Sequence, residues 1–215
     1  MTSPVTKSSR RARKKQQTRD LIADTALRLF LERGFDAVTI ADVAQAADVD
    51  AKTIYNYFPS KPDLVYHRLE AFEAGLLAAV HERQPSESIL SAFTRFALAA
   101  QGLLGDEQAS KHLRAVSEMI AASDTLLLHE EQVFARYTDS LAALIADETS
   151  ARDSDLIPTV VARTLIGYHR SLVDYVRRAT LAGNPNVKIA RDLRTQASNA
   201  RGQLESGLAD YGIKH

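Results

Sequence analysis

The chain has 215 residues, enough for one large domain or two small ones, and its 45% apolar and 25% charged residues are the balance of a globular protein with a real core. Its 27 Lys and Arg against 27 Asp and Glu exclude a uniformly basic nucleic-acid coat and a strongly acidic solvating chain, and the absence of cysteine excludes disulfides, thiolate nucleophiles and Cys-type zinc sites. No apolar run approaches the ~18 residues needed to span a bilayer, and the opening MTSPVTKSSRRARKKQQ carries charge without the apolar stretch of a secretory signal, so a cytoplasmic protein is expected.

The even charge hides an asymmetry. Met1 to Tyr66 holds eleven basic and eight acidic residues, and the excess is sharpest at the start, where Lys7, Arg10, Arg11, Arg13, Lys14 and Lys15 precede the first acid, Asp20. Residues 1–17 therefore read as a disordered basic arm, either simply solvated or laid along a phosphate backbone.

From Thr18 the pattern becomes helical: Leu21, Ile22, Ala26, Leu29 and Phe30 recur at steps of three and four, and Gly34 closes the segment. A short second helix begins at Thr39, with Ile40, Val43, Ala44 and Ala47 as its apolar stripe and Asp42 at the capping-box position. Asp48 suits the turn that follows, because Asp tolerates positive φ better than most residues. Asp50 caps a third helix that must stop by Phe58, since Pro59 disfavours a helical residue before it. Three helices, the last two short and tightly joined, form a helix-turn-helix.

At 100° per residue Ile54, Tyr57 and Phe58 share one face of the third helix, which should bury against Ile22, Phe30, Ile40 and Val43. Lys52, Tyr55 and Asn56 point away from it. An exposed amine, phenol and amide is either a solvated face or the donor set of a major-groove reader, and an exposed Tyr adjoining a donor pair beside a basic arm favours the reader.

The remainder reads as all helix. Segments are expected from Leu64 to Glu82, from a Ser86 cap to Gly102 and Gly105, from His112 to Ala121, from Ser123-Asp124 to Asp147, from a Ser154 cap to Gly183, and from Val187 to Tyr211. No strand alternation and no internal repeat are present, so the expected fold class is all-α.

The stretch TIADVAQAADVDAKTIYNYFPSKPDL, Thr39 to Leu64, with the helix before it, closely resembles the DNA-binding signature of the tetracycline-repressor (TetR) family of transcriptional regulators. The resemblance covers Thr18 to Leu64. It implies a three-helix DNA-binding domain over residues 18–64, a helical ligand-binding and dimerisation domain over 65–215, a homodimer, a double-stranded DNA operator, and repression relieved by a small molecule. Carried over by position, Thr39 and Lys61 would meet phosphates, Asp50, Ala51, Lys52 and Thr53 would enter the major groove, and Tyr55 and Asn56 would touch backbone or base edges. Tyr57 stays ambiguous between the core and the backbone. The chain departs from the family pattern at Asp48, where Gly is usual, at Asp50, where Ser or Thr is common, and at Ala51-Lys52, which replaces a frequent Lys-Gly pair. Asp50 is then either a plain cap or an acceptor for cytosine N4, and Lys52 is the best candidate for direct readout of guanine.

A ligand-responsive regulator needs a cavity in its second domain. Phe93, Phe96, Leu103, Met119, Leu127, Phe134, Tyr137, Leu165, Tyr168 and Tyr175 offer apolar walls with hydroxyl handles, or an ordinary core. Polar residues at inward-looking spacing are His112, Glu118, His129, Arg163, His169 and Arg170, and Phe93, Phe96, Met119, Phe134, Tyr137, Arg163, Tyr168 and His169 are the ligand-binding candidates. The scattered histidines lack metal-ligand spacing, so no metal and no cofactor are expected. The apolar face of Ile189, Leu193, Ala197, Ala200, Leu204, Leu208 and Tyr211, with the helix from Asp155, suggests a dimer interface, and Gly167 in mid-helix suggests a close backbone approach or a ligand. The stretch from Arg163 to Arg178 loosely resembles the family branch answering acyl-CoA-like ligands; another lipophilic compound fits as well.

An enzyme is not expected, because no GxSxG elbow, phosphate-cradling Gly-rich loop or compact Ser–His–Asp group is present. The alternatives to a repressor are a ligand-dependent activator and a helical partner-binding protein whose DNA-binding head has lost its function.

Overall fold

The computed structural model describes residues 4–99 and 107–208, and these contain nine α-helices and no strand. In chain order they are α1 (Pro4–Arg33), α2 (Ile40–Ala46), α3 (Ala51–Tyr57), α4 (Asp63–His81), α5 (Ile89–Ala99), α6 (Glu107–Ala121), α7 (Asp124–Glu148), α8 (Ile157–Leu181) and α9 (Asn186–Leu208). None is long and apolar enough to cross a membrane. Gly102, Leu103, Gly105 and Tyr211, which carried expectations above, lie outside the described residues.

The arm expected to be disordered is helical from Pro4. No Gly or Pro interrupts residues 5–17, and Arg, Lys, Gln and Ala are good helix formers. The turns from Ile22 onward pack their apolar face and so supply the nucleus, after which each earlier residue adds a hydrogen bond without a new nucleation cost.

Two caps also differ. Ser86 has φ +68 and lies in the turn before α5, and the hydroxyl of Ser88 instead accepts from the Ser91 amide at 3.2 Å. Ser154 does not cap α8. That helix starts at Ile157 behind Leu156, with Pro158 in its first turn, while Asp155 accepts from the Arg152 amide at 3.0 Å. Pro lacks an amide hydrogen, so it fits where that hydrogen has no helical acceptor.

The chain forms two compact units: Met1–Leu69 with Met119–Leu126, and Glu70–Glu118 with Leu127–His215. The first unit thus ends inside α4 rather than at Leu64, and it includes residues from α6 and α7 that the sequence reading assigned to the second domain. A long-range bond is part of the reason. The Tyr66 hydroxyl donates to the carbonyl of Leu126 at 3.1 Å, and both residues are buried.

The core of the first unit comes from α1 (Ile22, Ala26, Leu29, Phe30), α2 (Val43, Ala44), α3 (Ile54, Phe58) and Leu64. Phe30 and Phe35 meet edge to face with centroids 5.1 Å apart, immediately across Gly34, whose φ of +88 makes the reversal. In the second unit Leu76 and Val80 of α4, Leu90 and Phe93 of α5, Leu141 and Ile145 of α7, and Leu165 and Leu172 of α8 are buried. Ile189, Leu193 and Ala197 of α9 are buried too. The first half of the α9 stripe expected to meet a partner is therefore used inside the protomer, where the Tyr168 hydroxyl of α8 donates to the Ala197 carbonyl at 3.2 Å, while Ala200 is exposed and Leu204 and Leu208 are half-buried. A helix with one apolar face cannot give that face to two neighbours.

Candidate functional site

The helix-turn-helix is set by short-range hydrogen bonds. At the start of α2 the Thr39 hydroxyl accepts from the Asp42 amide at 3.2 Å, while the Asp42 carboxylate accepts from the Thr39 amide at 2.7 Å, a reciprocal capping box. Its hydrogen bonds from the Thr39 side chain and backbone hold the Asp42 carboxyl below the usual carboxylate range. Asp48 makes the turn at φ +53, and the Val49 amide donates to the Ala44 carbonyl at 3.0 Å. A short polar side chain tolerates this left-handed conformation, so the missing glycine does not prevent the turn.

Asp50 is the N-cap of α3. Its carboxylate accepts from the Thr53 amide at 2.6 Å, which is the chief cause of its lowered pKa. The charge thus lies at the positive end of a helix, engaged with the protein's own backbone, and the plain-cap reading of this residue has direct geometric support.

The faces of α3 divide as the wheel requires. Ile54 is 0% and Phe58 1% exposed, whereas Tyr55 is 55% exposed and Ala51, Lys52 and Asn56 are also open. Thr53 and Tyr57 are half-buried between the two faces, so Tyr57 belongs wholly to neither. Thr39 is exposed beside α2. Two cations close the edges of the core: the Arg19 guanidinium lies 5.3 Å from the Phe58 ring centroid, and the Lys61 ammonium 4.2 Å from that of Phe35. Lys61 is half-buried, and this burial lowers its pKa. Sequence reasoning missed the aromatic contact of Lys61, because Phe35 lies 26 positions away in the chain.

Residues 22–67 match the family model of bacterial regulatory proteins, tetR family. The match spans α2, α3 and the adjoining parts of α1 and α4. Over 170 residues it is 25% identical to a Mycobacterium tuberculosis protein named as the mycofactocin biosynthesis transcriptional regulator MftR, covering 78% of this chain and 83% of that one. It is 32% identical over 96 residues to the HTH-type transcriptional regulator TcmR of Streptomyces glaucescens, covering 45% of this chain and 42% of that relative. Among solved structures, the SmeT–triclosan complex shares the fold, with a TM-score of 0.55 at 16% identity over 91% of this chain and 94% of that one. The matched proteins are named as transcriptional regulators rather than as enzymes.

The second unit gathers four of the eight candidate ligand residues. Phe72 of α4 stacks on the His169 ring of α8 at 4.6 Å, and the Phe96 ring of α5 lies 5.2 Å from Phe72. Phe134 and Tyr137 of α7 complete the group: Tyr137 lies 5.9 Å from Phe72, and Phe134 lies 6.1 Å from His169. Gly75 permits the approach of α5, since a Cβ there would come within 2.9 Å of the Phe96 ring. His169 is 5% exposed, burial lowers its pKa to about 4, and its Nδ1 has no hydrogen-bond partner. The imidazole is therefore neutral at pH 7 and sits as a lone polar group among aromatic rings.

The other candidates go elsewhere. Phe93 is buried in the core, Tyr168 binds α9, and Met119 belongs to the first unit. Arg163 is exposed on α8, and Arg170, also expected to look inward, pairs with Glu131 and stacks over Phe134 at 5.6 Å. Long cationic side chains reach water or a carboxylate more cheaply than they enter an aromatic core. His112 and Glu118 are exposed as well, and Glu118 pairs with Arg114 one turn away. Nothing lies within 4 Å of a Cβ built on the exposed Gly167, so no close approach inside the protomer explains this glycine. Phe72 is the member that the sequence reading overlooked. Its only signal was an aromatic on a helix already assigned to packing. Among the described residues no three His, Asp or Glu side chains gather where a metal ion could sit.

Proposed function

We propose that this regulator is a dimeric repressor, released from a palindromic operator by a small, largely apolar ligand. The observation that carries the reading is the division of α3: a buried Ile54 and Phe58 behind an open row of Lys52, Tyr55 and Asn56. A rigid helix held by its inner face and presenting amine, phenol and amide outward is what groove readout requires. Lys52 reads a base, Tyr55 and Asn56 contact backbone or base edges, and Thr39 and Lys61 meet phosphates. Two such heads about a twofold axis would read half-sites about 34–36 Å apart or a multiple of this.

The ligand reading rests on the aromatic group around His169, an apolar enclosure with one unsatisfied polar atom. The dimer reading rests on exposed apolar residues at the start of α8, Leu156 (76%), Ile157 and Val160, and on Val187 at the start of α9. Selection of duplexes from a random library tests the head. Lys52→Ala should relax preference at one base pair by about 1–3 kcal/mol, whereas Lys61→Ala should weaken all sequences alike. If both variants shift the preferred base, the assignment is wrong, and if the protein binds no duplex at any salt concentration, a partner-binding role replaces repression. Triclosan, held by one structural neighbour, is a first probe for release of a selected duplex.

A further inference from the structure

The first half of α1 breaks the rules for a structural helix. Residues 10–17 are exposed on every side, so none of them helps to hold the core. The first turn of α1 contains no acidic residue, although a helix N-terminus carries a positive partial charge that favours Asp or Glu. Arg10, Arg11, Arg13, Lys14 and Lys15 crowd the turns that follow, with Arg10 and Lys14, and Arg11 and Lys15, one turn apart, where like charges repel. The first intrahelical relief comes at Gln16, whose amide donates to Asp20 at 2.8 Å. A local conflict with no structural compensation points to an external one.

The pattern of charge is specific. At 100° per residue the five cations fall within an arc of about 200°, and Ala12 and Gln16 occupy the opposite side. Residues 10–15 rise about 9 Å, roughly one positive charge per 1.8 Å, against one negative charge per ~1.7 Å along a DNA duplex. A membrane surface fits less well, because a membrane-binding helix needs an apolar face and the only apolar side chain in residues 10–17 is Ala12.

From these observations we infer that the first half of α1 is a second DNA-contacting element, a basic helix that lies on duplex phosphates outside the bases read by α3. It rests on the DNA-binding reading of the head and adds affinity without adding sequence preference. Long Arg and Lys side chains let at least three of the five cations reach phosphates together, each releasing a counterion.

The test is binding of the full chain to a mixed-sequence 40-base-pair duplex, measured by fluorescence anisotropy between 50 and 200 mM KCl. Replacing all five cations with Gln keeps good helix formers, and circular dichroism confirms the fold. Loss of three phosphate contacts should lower the slope of log K against log salt by about 2.7, so over this fourfold range the wild type loses about 40-fold more affinity than the variant. A variant with Lys at all five positions should keep the wild-type slope. Equal slopes for the wild type and the Gln variant overturn the inference while leaving the role of α3 intact, and absence of any duplex binding by the wild type overturns both. Loss of binding to phosphatidylserine vesicles in the Gln variant, with the duplex slope unchanged, would show that the helix serves a lipid surface instead.

Discussion

Both units of the protein contain an aromatic group, and the two are built on opposite plans. In the first, the rings of Phe30, Phe35 and Phe58 are edged by cations, Arg19 over Phe58 and Lys61 over Phe35. In the second, Phe72 and Phe134 lie against a neutral imidazole that lacks a partner at Nδ1, with Phe96 and Tyr137 packed on Phe72. The charged edge of the first covers its rings with cationic side chains that are themselves half-buried. The second holds an unmet hydrogen-bonding group among aromatic rings, a cost in stability that a ligand supplying the missing partner would remove. One group is finished by the chain alone; the other is not.

The largest effect is expected where the finished group is opened. Phe58→Ala removes a fully buried ring and should cost about 3–5 kcal/mol. Urea unfolding followed by circular dichroism should then show an early loss of part of the helicity, with the second unit persisting. A single transition for the whole chain would break the comparison, because the two units would then share one stability.

A smaller, pH-dependent effect belongs to the second group. The pKa of His169 falls from 6.5 to about 4 on folding, so this residue contributes its full stability above pH 6.5 and loses it as the pH falls toward 4. Between pH 7.5 and pH 5 the loss from this one residue is about 2 kcal/mol. His169→Phe keeps a ring beside Phe72 and should remove that part of the acid sensitivity, as read from urea midpoints at the two pH values. An unchanged pH dependence would mean that the imidazole is not buried neutral. Ligand release of DNA should also weaken in this variant if His169 is the polar handle.

The smallest effect sharpens the dimer reading. Gly167→Ala meets nothing within 4 Å in the protomer and replaces a poor helix former, so it should stabilise α8 by about 1 kcal/mol. If the face carrying Val160, Gly167 and Ser171 meets a partner, sedimentation should show weaker association even as the protomer gains stability. Unchanged association would place the interface elsewhere.

The head was the more legible region because its instructions are local. Thr39 and Asp42 are three residues apart, Asp50 and Thr53 are three apart, and the inward residues Ile54 and Phe58 are one helical turn apart. Helical pitch converts such spacings directly into geometry. The spacing alone therefore assigns Lys52, Tyr55 and Asn56 to the outer face. The aromatic group of the second unit gave no comparable signal. Phe72, Phe96, Tyr137 and His169 lie on four helices separated by long stretches of chain, and an aromatic on a helix face looks the same whether it meets a ligand, a core or a partner.

From residue order alone came the all-α class, the helix-turn-helix, its caps and its outward row of donors, since each depends on interactions within one or two turns. Tertiary packing decided that α9 gives the first half of its apolar stripe to its own protomer, that Met119–Leu126 joins the head, and that Arg163 stays in water while His169 does not. Those outcomes depend on which of several similar faces meet, and periodicity supplies the faces without choosing their partners.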